Sequence, residues 1–73
     1  MKVAERIVSD PNICGGEACV KGTRIGVGVV LGHLAAGEEI DEVLRQFPSI
    51  TREDVLACLE YGAFLASEKI LPD

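Results

Sequence analysis

A chain of 73 residues has room for one small domain, and about 60% of the surface of so short a chain can be buried on folding. Its apolar residues form no run of about 18 that would cross a membrane, and its N-terminus, MKVAERIV, lacks the features of a signal peptide. The net charge of −5 argues against general attraction to nucleic acid, because affinity for DNA comes largely from neutralising phosphates. We therefore expect a cytoplasmic protein that gains stability as a homodimer or with an obligate partner.

The charge is unevenly distributed along the chain. Residues 1–24 carry four cations and three carboxylates, a net charge of +1. Residues 25–73 carry three cations and nine carboxylates, a net charge of −6. Any anion-binding surface must therefore involve the N-terminal third.

The first 25 residues predict a small β element. Residues 5–9 contain Ile7 and Val8 and end at a turn marked by Pro11, as a short strand does. Residues 18–20 predict a second strand, Lys21-Gly22 a two-residue turn, and residues 23–25 a returning third strand. So short a sheet needs a helical face or another subunit. A hairpin packed on the helices and strands shared across a dimer remain alternatives.

Residues 26–36 predict the first helix, and Gly37 is its expected left-handed stop. Gly28 and Gly32 lie four residues apart within it, which indicates either a close helix crossing or two tolerated glycines. The residues predicted to face the core are Val27, Val30, Leu31 and Leu34.

Two further helices are predicted over residues 39–47 and from Thr51 to about Tyr61. The first has apolar residues at i, i+3, i+4 and i+7, which indicates one buried face: Ile40, Val43, Leu44 and Phe47. Thr51 and Asp54 have the spacing of a reciprocal cap at the start of the third helix. The apolar stripe of that helix, also expected to face the core, comprises Val55, Leu56, Leu59, Ala63 and Phe64.

Two short helices joined by a tight turn and packed on a preceding helix form the skeleton of a helix-turn-helix. The predicted fold class is therefore mainly α. Residues 1–73 form a single domain, in which a short β element, 1–25, precedes a three-helix, homeodomain-like helix-turn-helix core, 26–70.

Little in the sequence points to catalysis or metal binding. Cys14, Cys19 and Cys58 are an odd number of cysteines, which favours buried thiols over a disulfide framework. The spacing of the first two and the position of His33 within an apolar helix argue against a zinc site. No nucleophile or acid–base constellation is apparent. We therefore predict that the protein is not an enzyme and has no cofactor.

Several motifs occur here in a fixed order: Asp10-Pro11 after the first strand, Gly15-Gly16, the basic turn VKGTRI at 20–25, LAAG at 34–37, and Phe47-Pro48 before Ile50-Thr51. With these motifs over nearly its whole length, the chain resembles the DUF433 family of small prokaryotic proteins, which is grouped with VapB-like antitoxins. The resemblance implies a homeodomain-like or winged-helix-like fold with a small β element. It also implies DNA binding and an antitoxin role beside a PIN-like ribonuclease toxin.

One hypothesis is therefore a DNA-binding antitoxin that regulates its own promoter. The third helix would enter the major groove with Thr51 and Arg52 near base edges. The basic turn, with Lys21, Thr23 and Arg24, would supply further contacts, and Lys2 and Arg6 are additional candidates for phosphate contact. Three carboxylates on the third helix would repel the DNA backbone unless they face away: Glu53, Asp54 and Glu60.

The alternative hypothesis is an acidic interaction module that neutralises a nuclease partner without binding DNA. The net charge of −6 on residues 25–73 favours it, because complementary potentials steer association with a basic nucleic-acid groove. The helix-turn-helix pattern and the basic turn favour the first hypothesis. Both activities can occur in one protein.

Overall fold

The computed structural model describes residues 5–67, which form an antiparallel two-stranded hairpin followed by three helices. This confirms the mainly helical class and the N-terminal β element. Residues 1–4 and 68–73 of the predicted domain lie outside the described residues. The strands are β1 (Ile7–Asp10) and β2 (Ile13–Val20), and the helices are α1 (Val27–Ala35), α2 (Ile40–Gln46) and α3 (Arg52–Ser67).

The hairpin turns at Pro11 and Asn12, where the Asn12 backbone N–H donates to Asp10 Oδ1 at 2.8 Å. This Asx turn allows β2 to begin at Ile13, five residues earlier than predicted. The pairing shifts between Ser9, which faces Ala18, and Asp10, which faces Ile13. Residues 14–17 are therefore accommodated as an irregularity within β2, and the Ser9 hydroxyl donates to the carbonyl of residue 16 at 2.7 Å.

The predicted third strand at residues 23–25 does not form, because residues 23 and 24 make a bend and the returning chain pairs with β2 only through a single antiparallel bridge between Cys19 and Gly26. The Val20 carbonyl accepts hydrogen bonds from both the Thr23 backbone N–H (3.0 Å) and the Thr23 hydroxyl (2.8 Å). Gly22 has φ +82°, as the third residue of a type II turn requires. The Thr23 hydroxyl oxygen also accepts the Ile25 N–H at 3.0 Å. A side chain thus takes the backbone partners that a strand would have used.

Helix α1 ends as predicted. The Gly37 N–H donates to the Leu34 carbonyl (3.0 Å) and the Glu38 N–H to the His33 carbonyl (3.2 Å), with Gly37 at φ +97°. This is the Schellman arrangement, in which a residue in the left-handed region closes the helix end. At their starts, α1 and α2 have Gly26 and Glu39 as N-caps without side-chain hydrogen bonds, so both helices begin one residue later than predicted.

The core lies between the hairpin and the three helices. Val30 and Val43 are fully buried, which confirms the predicted inward faces of α1 and α2. The other residues predicted for those faces are buried or packed against the core. The buried cluster comprises Ile7, Val20, Val27, Val30, Val43, Ile50, Val55, Ala57 and Cys58.

The predicted core stripe of α3 is wrong. Of its five residues only Val55 is buried, whereas Leu56, Leu59 and Phe64 are 40%, 42% and 58% exposed and Ala63 is exposed. The buried positions of α3 are instead Asp54, Val55, Ala57 and Cys58.

The first turn of α3 explains this rotation. Thr51 N–H donates to Asp54 Oδ2 (2.9 Å), and Arg6 Nη1 donates to Asp54 Oδ1 (3.0 Å). These two bonds hold the Asp54 carboxylate on the inner side of the helix. Because residues three and four apart share a helix face, an inward Asp54 also places Ala57 and Cys58 inward. The leucines at 56 and 59 then lie on the outside.

A close approach of α1 and α3 occurs at Gly62 and not at the glycines of α1. A Cβ added to Gly62 would lie 3.1 Å from Leu31 Cδ1, whereas one added to Gly28 or Gly32 would meet nothing within 4 Å. The close crossing considered for the α1 glycines is therefore wrong, and both are tolerated, exposed residues.

We predict that Gly32→Ala raises the free energy of unfolding by up to about 1 kcal/mol, because alanine loses less backbone freedom in a helix. For a domain of this size the melting temperature should rise by roughly 4–8 °C in a circular dichroism melt. Gly62→Ala is the control, since Leu31 must move to admit the new methyl group. Equal gains from the two substitutions would contradict the packing described.

We predict that Asp54→Ala lowers the free energy of unfolding by about 2 kcal/mol, because it removes both the cap of α3 and the partner of Arg6. Urea unfolding measures this loss. Glu53→Ala removes an exposed carboxylate from the same turn and should cost about 0.5 kcal/mol or less. Similar losses of unfolding free energy in the two variants would show that the buried, hydrogen-bonded Asp54 stabilises the protein no more than an exposed carboxylate does.

Candidate nucleic-acid interface

The basic turn, residues 21–24, holds Lys21 and Arg24 in solvent immediately before α1. Its backbone is fixed at both ends: the Lys21 N–H donates to the Arg6 carbonyl (2.7 Å), and Val20 N–H donates to the Ile25 carbonyl (2.9 Å). Within residues 5–67 neither Lys21 nor Arg24 forms an ion pair. The turn therefore presents two exposed cations on a constrained backbone.

Thr23, the third candidate in this turn, is half-buried, and its hydroxyl already makes the two hydrogen bonds that close the turn. Its position is therefore structural. Arg24 also borders an open groove of about 380 Å³, lined in addition by Cys14, Glu17 and Val29 among others. The groove carries both signs of charge.

The two candidates at the start of α3 have partners within the protein. Thr51 accepts the Asp54 N–H (3.2 Å), while its own N–H donates to Asp54, which confirms the predicted reciprocal cap. The Arg52 guanidinium donates to the carboxylate of Asp41 on α2. A phosphate or base contact by Arg52 would have to replace this ion pair. The five candidate residues thus divide into the basic turn and a separate, internally paired group.

The outward face of α3 is both acidic and apolar. Of the three carboxylates that concerned the DNA hypothesis, only Asp54 faces away from solvent, whereas Glu53 and Glu60 are exposed. They lie beside the exposed Leu56 and Leu59. Over most of this face a phosphate backbone would meet carboxylates and apolar side chains, and its one guanidinium, that of Arg52, is paired with Asp41.

The acidic segment, residues 38–42, follows α1 and carries four carboxylates: Glu38, Glu39, Asp41 and Glu42. Glu38 Oε1 lies 3.0 Å from His33 Nδ1 and accepts a hydrogen bond from Gln46 Nε2 (2.7 Å). The Asp41 side chain remains 76% exposed despite its pairing with Arg52. The nine residues of α1 span about 13 Å. The basic turn and the acidic segment therefore lie at opposite ends of α1.

The sequence alone does not predict this separation of charge. The net charges of residues 1–24 and 25–73 indicate which part of the chain is basic and which is acidic. They do not indicate that one short helix separates the basic surface from the acidic one.

The three cysteines are free thiols. Burial, together with the nearby Asp54 carboxylate, raises the pKa of the Cys58 thiol to about 11. Burial also raises the pKa of the Cys19 thiol, and the neighbouring Cys14 thiol adds to the effect. In the part of the chain that the structure describes, no group of three His, Cys, Asp or Glu residues is arranged to hold a metal ion.

The family model of DUF433, described as a protein of unknown function, matches residues 7–62. The chain belongs to this family. The uncharacterised protein y4eO of Sinorhizobium fredii is 37% identical over 51 residues, which cover 70% of this chain and 23% of y4eO. The crystal structure of a DUF433 member from Anabaena variabilis superposes with a TM-score of 0.79 at 30% identity, over 86% of this chain and 62% of that one.

The chain thus spans less than a quarter of y4eO and less than two thirds of the Anabaena protein. The structural comparison supports the fold, and both proteins are described without an activity. No helix among residues 5–67 is long and apolar enough to cross a membrane.

We predict that stability falls as pH rises from about 9 to about 11, because of Cys58. Its folded pKa lies above the ordinary value of 9.0, so the folded protein binds the thiol proton more tightly than the unfolded chain. This contribution is complete below pH 9 and is lost as pH rises through the folded pKa. Urea unfolding across this range measures it, with Cys58→Ala as the control. An identical pH dependence in the control would contradict the assignment.

Proposed function

We propose that the protein is a small VapB-like antitoxin that contacts DNA through the basic turn and a PIN-like nuclease through the acidic segment. The observation that carries this proposal is the placement of opposite charges at the two ends of α1. A regulator of this type must engage an anionic ligand and a cationic protein groove, and separate surfaces allow both.

The basic turn suits phosphate contacts better than base reading. Lys21 and Arg24 are exposed and unpaired within the described residues. Each cation that neutralises a phosphate releases a counterion, so two contacts per chain give a slope of about −2 for log affinity against log salt concentration. With a net charge of −5 on the chain, binding should be weak and confined to low salt.

We also propose that α2 and α3 form a helix-turn-helix within a homeodomain-like or winged-helix-like core. Residues 47–51 connect the two helices, and Thr51 and Arg52 stand at the start of α3. Because Arg52 is paired with Asp41, we expect Arg52 to contribute little to DNA binding. We therefore place the main DNA contacts in the basic turn.

The acidic segment suits a nuclease partner. A ribonuclease must bind a phosphate chain and therefore presents a positive groove. Glu39 and Asp41 are exposed at the start of α2 and would attract such a groove and compete with RNA for it. The family resemblance, which places these proteins beside PIN-like toxins, identifies the kind of nuclease to test.

A second candidate is an interaction module that does not bind DNA. It is favoured by the outward face of α3, where Glu53, Leu56, Leu59 and Glu60 offer nothing to a phosphate backbone. In this case the basic turn would be a solvated surface feature, and the acidic segment would carry the function alone.

We predict that Arg24→Ala weakens binding to a labelled fragment of the protein's own promoter and makes the salt slope shallower by about 1. Fluorescence anisotropy near 50 mM salt, where phosphate contacts are strong, measures both effects. Arg45→Ala is the control, because Arg45 pairs with Glu42 at the acidic end. Equal weakening by the control would indicate general electrostatics, and an absence of binding by the unmodified protein would leave only the second candidate.

We predict that Glu39→Lys weakens co-purification with a PIN-like nuclease encoded by the neighbouring gene, because it reverses an exposed charge in the acidic segment. Glu17→Lys makes the same change on the hairpin and should have little effect. If the unmodified protein fails to bind the nuclease, or both variants bind equally well, the acidic segment is not the binding surface.

A further inference from the structure

We propose that Cys14 and Cys19 form a thiol–disulfide exchange site, at which a small-molecule disulfide such as oxidised glutathione converts the two thiols into a reversible intramolecular disulfide. The inference rests on an irregularity of β2 that brings together two cysteines five positions apart in the chain. It requires neither DNA nor a nuclease and goes beyond the function proposed above.

A regular strand would hold these two cysteines apart. Residues five positions apart in an extended strand are separated by about 16–17 Å, whereas a disulfide requires its two Cα atoms to lie within about 7 Å of each other. The pair therefore depends on how β2 departs from a regular strand.

The register of the hairpin shortens the path between the cysteines. Ser9 faces Ala18, and the next residue, Asp10, faces Ile13. Because Ser9 and Asp10 are consecutive, their partners occupy neighbouring positions along the ladder, and residues 14–17 form an excursion between them. One cysteine is the first residue of this excursion, and the other lies two residues after its last.

The backbone at the start of the excursion is left-handed, which ends the extended course of β2 there. Cys14, Gly15 and Gly16 have φ of +54°, +64° and +86°. Among residues 5–67, Cys14 is the one residue other than glycine with a positive φ, a conformation that is unfavourable for a residue with a Cβ atom. Unfavourable backbone conformations of this kind cluster at functional and switch positions.

The two thiols interact directly. Burial raises the pKa of the Cys19 thiol, and a hydrogen bond with the Cys14 side chain raises it further. Cys19 is fully buried, whereas Cys14 is half-buried and lines the open groove of about 380 Å³ that Arg24 also borders. A small molecule can therefore reach Cys14 first, with Cys19 beside it as the second thiol.

The exchange has two steps. The Cys14 thiolate attacks one sulfur of the small-molecule disulfide, whose S–S bond breaks, so that a mixed disulfide forms and one thiolate leaves. The Cys19 thiolate then attacks the Cys14 sulfur and displaces the second thiolate. The two protons lost by the cysteines go to the two released thiolates. The cysteines are oxidised, and the small-molecule disulfide is reduced to two thiols.

Oxidation also changes a contact of the basic turn. The Cys19 thiol donates to the Thr23 carbonyl at 3.7 Å. A disulfide has no S–H group, so this hydrogen bond is lost when the pair is oxidised.

Reaction of the reduced full chain with glutathione buffers at about pH 8, where ordinary thiols begin to ionise, tests the proposal. After an acid quench and alkylation, trypsin cleavage at Arg6 and Lys21 releases both cysteines in one peptide, residues 7–21. Mass spectrometry should find this peptide lighter by two hydrogen atoms and unalkylated, with Cys58 alkylated in its own peptide. Excess reduced glutathione should restore both thiols.

Substitutions separate the two steps. Cys19→Ala should stop at a mixed disulfide between Cys14 and glutathione, because no second thiol displaces it. Cys14→Ser should leave the buried Cys19 as a free thiol. Cys58→Ala is the matched control and should form the disulfide like the unmodified chain, because Cys58 is buried on α3.

The unmodified chain also shows whether the fold brings the thiols together. Its equilibrium constant for disulfide formation should be at least about tenfold larger when folded than in concentrated urea, because a flexible chain gives a lower effective concentration. Two free thiols after the reaction, a stable glutathione adduct at Cys14, a disulfide that includes Cys58 or joins two chains, or an equal constant in urea would each overturn the proposal. These readouts contain no DNA or nuclease, so they succeed or fail independently of the proposed function.

Discussion

The carboxylate of Asp54 is the group on which the arrangement of this protein depends. One of its oxygens receives the Thr51 amide and the other receives the Arg6 guanidinium, so a single side chain both begins α3 and attaches it to the residue preceding β1. The residue is only 9% exposed, and each of its two oxygens has a donor. A buried carboxylate needs such partners because water no longer stabilises its charge. The orientation of α3 follows from this group, which also joins the hairpin to α3 in addition to the apolar contacts of Ile7 and Val20.

The orientation of α3 determines what the surface offers. Because Asp54 and Cys58 face inward, Leu56 and Leu59 face outward, and the helix that the sequence predicts to read DNA presents mainly apolar and acidic side chains. Among residues 5–67, the exposed cations that form no ion pair lie in the turn before α1. The proposed function therefore uses two separate surfaces, the basic turn and the acidic segment.

The sequence predicted those features whose causes lie close together in the chain. The faces of α1 and α2, the Thr51–Asp54 cap and the helix stop at Gly37 each depend on residues within a few positions. Periodicity failed on α3 because that helix has two apolar sides, and the side that faces inward is selected by Arg6, far away in the chain. The prediction of a third strand was wrong because the Thr23 hydroxyl occupies the Val20 carbonyl and the Ile25 N–H, which a strand would have paired with each other.

For the candidate site, too, the sequence predicted features with local causes and missed those that depend on contacts between elements. The exposure of Lys21 and Arg24 was expected from a polar turn and is found. The pairing of Arg52 with Asp41 joins two helices and could not be predicted from spacing alone. The opposite charges at the two ends of α1 likewise depend on how the chain folds. For a small domain, local chemistry predicts the elements, while the surface depends on contacts between them.

The attachment of the hairpin to α3 also has a consequence for biosynthesis. Arg6 and Asp54 are 48 positions apart in a chain of 73 residues, and a two-stranded hairpin is at best marginally stable by itself. The ion pair that joins the hairpin to the helices therefore forms only after α3 has been translated. Nascent chains that stop before α3 lack this attachment and should be substrates for cellular proteases. Quality control can then tell a chain that contains α3 from one that lacks it by whether Arg6 and Asp54 have met.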